Sequence, residues 1–228
     1  MQGSVSIGNK ISAMIERSTT ELSMEKYLDE DEFIEALINQ DEKAFRELVR
    51  LHYKMLRMLA AAITGDSIAD EVVQQAWISV MRALPKFEKR SSLKTWLSRI
   101  VVNEAKTRLR REKRYSSLEA MGFDEPDPFF DQFDQRGNWG NGPVSWHGDT
   151  PESLLEKSEL NACIQKTLSA LPALQRTTFV MRELQGHSYE TICNTLEVTE
   201  SNIRVLLHRA RTKLLKTVEH FQEVGQCL

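Results

Sequence analysis

Apolar positions along this chain recur at the three- and four-residue steps of amphipathic helices. Over residues 41–64, Phe45, Leu48, Val49, Leu56 and Leu59 fall on one side of a helix, with His52 among them and Asp41 placed to cap its start. Thr64, Gly65, Asp66 and Ser67 then break the chain and cap a second helix, predicted over residues 68–84. Ala69, Val72, Val73, Ala76, Trp77, Val80, Met81 and Leu84 form its expected buried stripe, and Pro85 ends it. A third helix is predicted over residues 96–114, with Trp96, Leu97, Ile100, Val101, Ala105 and Leu109 facing a core.

The second half repeats the style with different punctuation. Thr150 is a cap and Pro151 stands at a first helical position. Leu160, Ile164 and Leu168 then carry a helix to Leu171 and Pro172. Another helix spans residues 173–185 and stops at Gly186. Ser188 caps a short helix that runs to Leu196; Glu197, Val198 and Thr199 make a tight turn. The last helix, residues 200–217, buries Ile203, Leu206, Leu207, Ala210 and Leu214. Two helices around such a turn make a helix-turn-helix, whose second helix enters the major groove from its amino-terminal end. The expected fold is all-α: two small helical domains, residues 25–114 and 151–222, the second a helix-turn-helix. A long linker, residues 115–150, joins them, and residues 1–24 form a polar extension. The linker is rich in glycine, proline and acid, yet carries Phe123, Phe129, Phe130, Phe133, Trp139 and Trp146, rings that a purely flexible spacer lacks.

Charge sharpens this picture. The net charge of −3 hides segregation: acid collects in residues 16–47 and 119–134, base in residues 86–114 and 204–216. Between positions 96 and 114 seven Lys/Arg stand against two Glu. Arg99, Lys106, Arg110 and Lys113 fall largely off the apolar stripe, giving a helix with one buried and one cationic face, suited to phosphates. Ser91, Ser92, Thr95, Trp96 and Asn103 add hydroxyl, amide and aromatic groups able to hold unpaired bases. On the second helix Asp70, Glu71, Gln74, Gln75 and Ser79 leave a polar face fit for docking a protein.

No nucleophile–base set, phosphate-binding glycine loop or metal-ligand spacing is visible, so no enzyme, cofactor or metal is expected. No run of 18 apolar residues occurs, and the amino terminus has no leader-type apolar core. Cys163, Cys193 and Cys227 are odd in number and far apart, and are expected as unpaired thiols in a reducing cytoplasm.

Four stretches together, DEKAFRELVRLHY, ADEVVQQAWISVMRAL, KFEKRSSLKTWLSRIVVNEAKTRLRR and LPALQRTTFVMRELQGHSYETICNTLEVTESNIRVLLHRARTKL, resemble a bacterial sigma-70 family transcription initiation factor of the extracytoplasmic-function group. The resemblance implies that Asp70, Glu71, Val73, Gln74, Gln75 and Trp77 dock on core RNA polymerase. It implies that Lys89, Arg90, Ser91, Ser92, Lys94, Thr95, Trp96, Arg99 and Asn103 melt and hold the minus-ten element, with Lys106 and Arg110 on its backbone. Ser188, Thr199, Ser201, Asn202, Arg204, Val205 and His208 would read the minus-thirty-five element, and Arg209 and Arg211 would contact phosphates. An anti-sigma protein is an implied further partner. Where the family often has glycine after Phe-x, Lys89 and Arg90 stand here, which implies a base-capturing loop of different shape. The alternative is a stand-alone helix-turn-helix regulator, which leaves the Asp70 helix and the basic helix without a role.

Overall fold

The computed structural model describes residues 30–111 and 151–227, with backbone alone for residues 151–157. The expectations for the amino-terminal extension, the linker, Lys113 and the cap at Thr150 lie outside the described residues. Every described element is helical.

In the first half, α1 (Glu30–Ile38), α2 (Glu42–Thr64), α3 (Asp66–Ala83) and α4 (Leu93–Arg111) surround one core. Asp41 caps α2 as predicted, its carboxylate accepting from the Ala44 N–H at 2.8 Å. The α2–α3 break departs from expectation. Gly65 caps α3 with no side-chain bond, at φ 87°, while Asp66 is already helical and pairs with Arg57. That positive φ lies where an L side chain is strained, so the sharp reversal rests on a glycine. Leu48, Leu56, Leu59, Val72, Val73, Val80, Leu97 and Val101 are buried at the centre. Each contributes roughly 1.5–3 kcal/mol of transfer free energy.

Two helical expectations are corrected. Met81 is 56% exposed rather than part of the buried stripe. The basic helix starts at Leu93, not at Trp96, because Ser92 Oγ accepts from the Thr95 N–H at 3.2 Å and caps it one turn earlier.

The second half packs α5 (Pro151–Ala170), α6 (Ala173–Phe179), α7 (Tyr189–Leu196) and α8 (Glu200–Val224). Beyond α6 the chain winds into a π-helical turn, Val180–Leu184, before the positive-φ Gly186. Ser188 caps α7 as predicted, accepting from the Thr191 N–H, and Thr199, expected only as a turn residue, caps α8 by accepting from the Asn202 N–H. α8 continues to Val224, beyond the residue-217 end expected, because Leu215, Thr217 and Phe221 extend its buried side. The cysteine expectation is also overturned. Cys163 and Cys227 form a disulfide across 64 residues, with Cα atoms 5.2 Å apart; Cys193 is the free thiol. Their separation along the chain hides a closeness that only the antiparallel run of α5 and α8 creates.

Candidate nucleic-acid interface

The basic helix presents part of the cationic face that the amphipathic pattern required. Arg99, Asn103 and Arg110 are exposed along one stripe of α4, and Leu97, Val101, Val102, Ala105 and Leu109 are buried behind them. Ahead of the helix, Phe87 is buried and stacks at a tilt on half-buried Trp96, ring centroids 4.9 Å apart. Between them Lys89 takes a left-handed backbone, φ 56°. Lysine there occupies the conformation that suits glycine, and its ammonium is tied to Asp31 of α1 at 2.6 Å. Arg90 is exposed and pairs with Glu88; Ser91 is half-buried and Ser92 is used in the cap. The loop therefore turns as a glycine-bearing one would, with a tether to α1 in addition.

On α3, Gln74 and Gln75 are exposed beside Ile78 (42% exposed) and Met81, so the outer face is part polar and part apolar. Asp70 accepts from the Tyr53 hydroxyl at 2.7 Å and from Arg57, and Tyr53 first and then Arg57 hold its carboxyl below the usual range. Glu71 pairs with Arg108 of α4 at 3.2 Å. Val73 and Trp77, expected on the docking face, lie inside instead. Val73 is fully buried and Trp77 packs edge-on against Phe45, so both shape the helix rather than its outer surface.

The helix-turn-helix places its expected readers unevenly. Ser201 and Arg204 are exposed and Asn202, Val205, His208 and Arg209 are half-buried. Ser188 and Thr199 are occupied as caps. Arg204 pairs with Glu200 and lies 5.1 Å from the Tyr189 ring, whose other cationic neighbour is Arg182 at 4.7 Å. Arg211, expected at phosphate, forms a buried ion pair with Glu183 at 2.5 Å.

The two halves are docked on each other, which the sequence reading did not foresee. Arg176 Nε donates to the Ala62 carbonyl at 2.8 Å, satisfying a carbonyl in the last turn of α2. Gln185 Nε2 donates to the Met55 carbonyl at 3.1 Å. Buried Ser98 meets His187 Nε2 at 3.1 Å, and Gln185 Oε1 lies 3.2 Å from the same nitrogen. Ser98 spends its own proton on the Lys94 carbonyl, and a Gln185 oxygen can only accept. His187 must then carry its proton on Nε2. Burial, and secondarily Lys94, pushes the His187 pKa down to about 4; His52 behaves alike for the same causes. Lys106 completes the junction, donating to Glu197 Oε1 at 3.0 Å and to the Thr195 carbonyl at 3.3 Å. Lys106, the third member of the cationic stripe, is thus held by the helix-turn-helix itself. A histidine directly after a helix-stopping glycine and a serine inside an apolar stripe were the only local hints of this contact.

An all-α pair of domains, one carrying a cationic helix and the other a helix-turn-helix, is the architecture of a two-domain promoter-recognition factor. Comparison with known proteins narrows the class. Residues 48–115 match sigma-70 region 2 and residues 161–214 match sigma-70 region 4. The chain is 30% identical over 197 residues to the ECF RNA polymerase sigma-E factor of Escherichia coli strain K12, covering 86% of this chain and 97% of that protein. It is 29% identical to a probable RNA polymerase sigma factor of Haemophilus influenzae, over 74% of this chain and 86% of that protein. Its fold is similar to that of the sigma factor RpoE solved in complex with the anti-sigma factor NepR from Bartonella quintana. That match has a TM-score of 0.51 and 22% identity, covering 78% of this chain and 98% of the other. The chain belongs to the ECF RNA polymerase sigma factors of the sigma-70 family. It is a promoter-directing initiation factor, and the stand-alone regulator reading is not favoured.

Proposed function

We propose that the described structure is the closed, promoter-blind form of this sigma factor. In it region 2 carries the polymerase and minus-ten surfaces, and region 4 the minus-thirty-five surface. Polymerase docks on the outer face of α3 through Asp70, Glu71, Gln74 and Gln75, with Ile78 and Met81 supplying apolar area. The loop over residues 87–92 and the α4 stripe of Arg99, Asn103, Lys106 and Arg110 engage the minus-ten element once it opens. Bases leaving the stack cost a few kcal/mol each, about what stacking and hydrogen bonds near Trp96 return. Ser201, Asn202, Arg204, Val205 and His208 read the minus-thirty-five element from α8. The protein catalyses no reaction itself and works in the bacterial cytoplasm, where its polymerase is. An anti-sigma protein is its expected antagonist.

The observation that carries the closed-form reading is Lys106 held by Glu197 and Thr195. Elements roughly 25 base pairs apart lie about 85 Å apart on B-DNA at 3.4 Å per pair. Domains joined by hydrogen bonds of about 3 Å cannot reach both at once. Transcription from a duplex and a pre-melted promoter, with purified core polymerase, tests the assignment. Initiation should depend on the added protein, and Trp96→Ala should impair the duplex template more than the pre-melted one. Tight promoter binding by the free chain, with no stimulation of polymerase, would refute it.

A further inference from the structure

We infer that Cys163 and Cys227 form a reversible thiol–disulfide clasp, through which the redox state of the surroundings sets the stability of the minus-thirty-five-reading domain. The geometry is built for it. α8 stops at Gly225, whose left-handed φ of 72° a side chain would resist, and the Gly225 N–H caps back onto the Phe221 carbonyl. That turn brings Cys227 onto α5, where Cys163 sits with Cα atoms 5.2 Å apart, inside the range a disulfide spans. One partner is buried and one is open: Cys163 is 2% exposed among Leu160, Ile164 and Leu168, whereas Cys227 lies in the exposed tail.

This asymmetry defines the chemistry. A low-molecular-weight disulfide such as oxidised glutathione is attacked by the exposed Cys227 thiolate, forming a mixed disulfide and releasing one thiolate. The Cys163 thiolate then attacks the Cys227 sulfur, forming the Cys163–Cys227 bond and expelling the second thiolate. Two protein thiols are oxidised, one small disulfide is reduced to two thiols, and the reverse sequence opens the bond. In a reducing compartment the bond is populated only when the thiol pool is oxidised.

The consequence falls on region 4. A bond across 64 residues closes almost the whole described domain into one loop, which strongly restricts its unfolded chain. A helical unit of this size has a small core and gains most from such a staple. The same helix, α8, carries the groove-facing residues at its other end. Cys193 lies outside the loop's closing pair and takes no part.

The test uses the full chain equilibrated in glutathione buffers from reducing to oxidising. Oxidation should remove about two mass units from the intact protein and raise its unfolding temperature by several degrees. It should also slow hydrogen exchange in the last turns of α8, and all three changes should reverse on reduction. Cys227→Ser, an exposed change that leaves the core intact, should abolish all of these; Cys193→Ser should abolish none. A chain that keeps both thiols in oxidising buffer, a bond that reducing glutathione cannot open, or a reversible bond without effect on unfolding would each overturn the inference. These readouts need no polymerase, so loss of promoter-directed transcription would count against the sigma assignment and leave the clasp standing.

Discussion

Lys106 of the cationic helix and Glu197 of the helix-turn-helix form an ion pair at 3.0 Å, although 91 residues separate them. The Lys106 side chain is only 12% exposed, and Lys106 holds the Glu197 carboxyl below its usual range. Glu197 also carries the left-handed backbone, φ 63°, that closes α7 and opens the turn. One residue thus makes the helix-turn-helix turn and fastens that unit onto the cationic helix α4.

This dual role makes Glu197→Gly a clean variant. Glycine suits the left-handed turn better than glutamate, so the helix-turn-helix should stay folded while the contact to Lys106 is lost. An exposed acceptor of this kind is a weak link, so we expect the free chain to bind promoter DNA only about two- to fivefold more tightly at low salt. Fluorescence anisotropy at matched ionic strength measures it. Unchanged affinity in a folded variant would mean that Lys106 is not withheld from DNA.

Acid should loosen the same junction. His187 is docked as a neutral ring with its pKa near 4, against an ordinary 6.5. Between these values the undocked form binds more protons, so docking is fully present above about pH 6.5 and is lost as pH falls toward 4. The linked change is at most tenfold per pH unit for this one ring. His52 shifts in the same direction beside the same Lys94 and adds to the acid sensitivity of region 2. Small-angle scattering should show a larger radius at pH 5 than at pH 7.5, with helical content retained. The same radius at both values would contradict the role given to His187.

These two groups mark what the sequence could and could not disclose. The caps at Asp41 and Ser188 were legible because a cap is a local event, decided within four residues. The buried stripe of α3 was legible too, except at Met81. That residue stands about 100° round the helix from Val80, at the stripe's edge, where its apolar character misled. Lys89 adopts a left-handed backbone at the position where the family often has glycine; its tether to Asp31 is non-local and leaves no trace in the pattern. Ser98 with His187, and Cys163 with Cys227, are pairs made by tertiary packing across long stretches of chain. No periodicity encodes such partners.

Arg211 separates a structural cation from a DNA-binding one. Its pair with Glu183 has side-chain exposures of 12% and 7%, so removing one partner strands the other charge in the interior. Arg211→Ala should therefore destabilise region 4 by about 3–5 kcal/mol. Chemical denaturation reads this directly. A variant as stable as the parent, but weaker on minus-thirty-five DNA, would return Arg211 to the phosphate contacts.

The outer face of α3 offers the sharpest test of the polymerase surface. Ile78 and Met81 are 42% and 56% exposed, one turn apart, next to exposed Gln74 and Gln75. Neither supports the core, so Met81→Glu should alter folding stability by no more than about 0.5 kcal/mol. In a protein interface the same change places a charge against apolar area and should weaken core polymerase binding at least tenfold, equivalent to about 1.4 kcal/mol. Val73→Ala gives the opposite signature. Val73 is fully buried, so it should lower stability by about 1–3 kcal/mol while leaving the affinity of the folded fraction close to that of the parent. Competition binding to core polymerase, with unfolding curves for both variants, checks the pair. If Met81→Glu binds normally, polymerase docks on another face of region 2, and the exposed apolar strip of α3 faces something else.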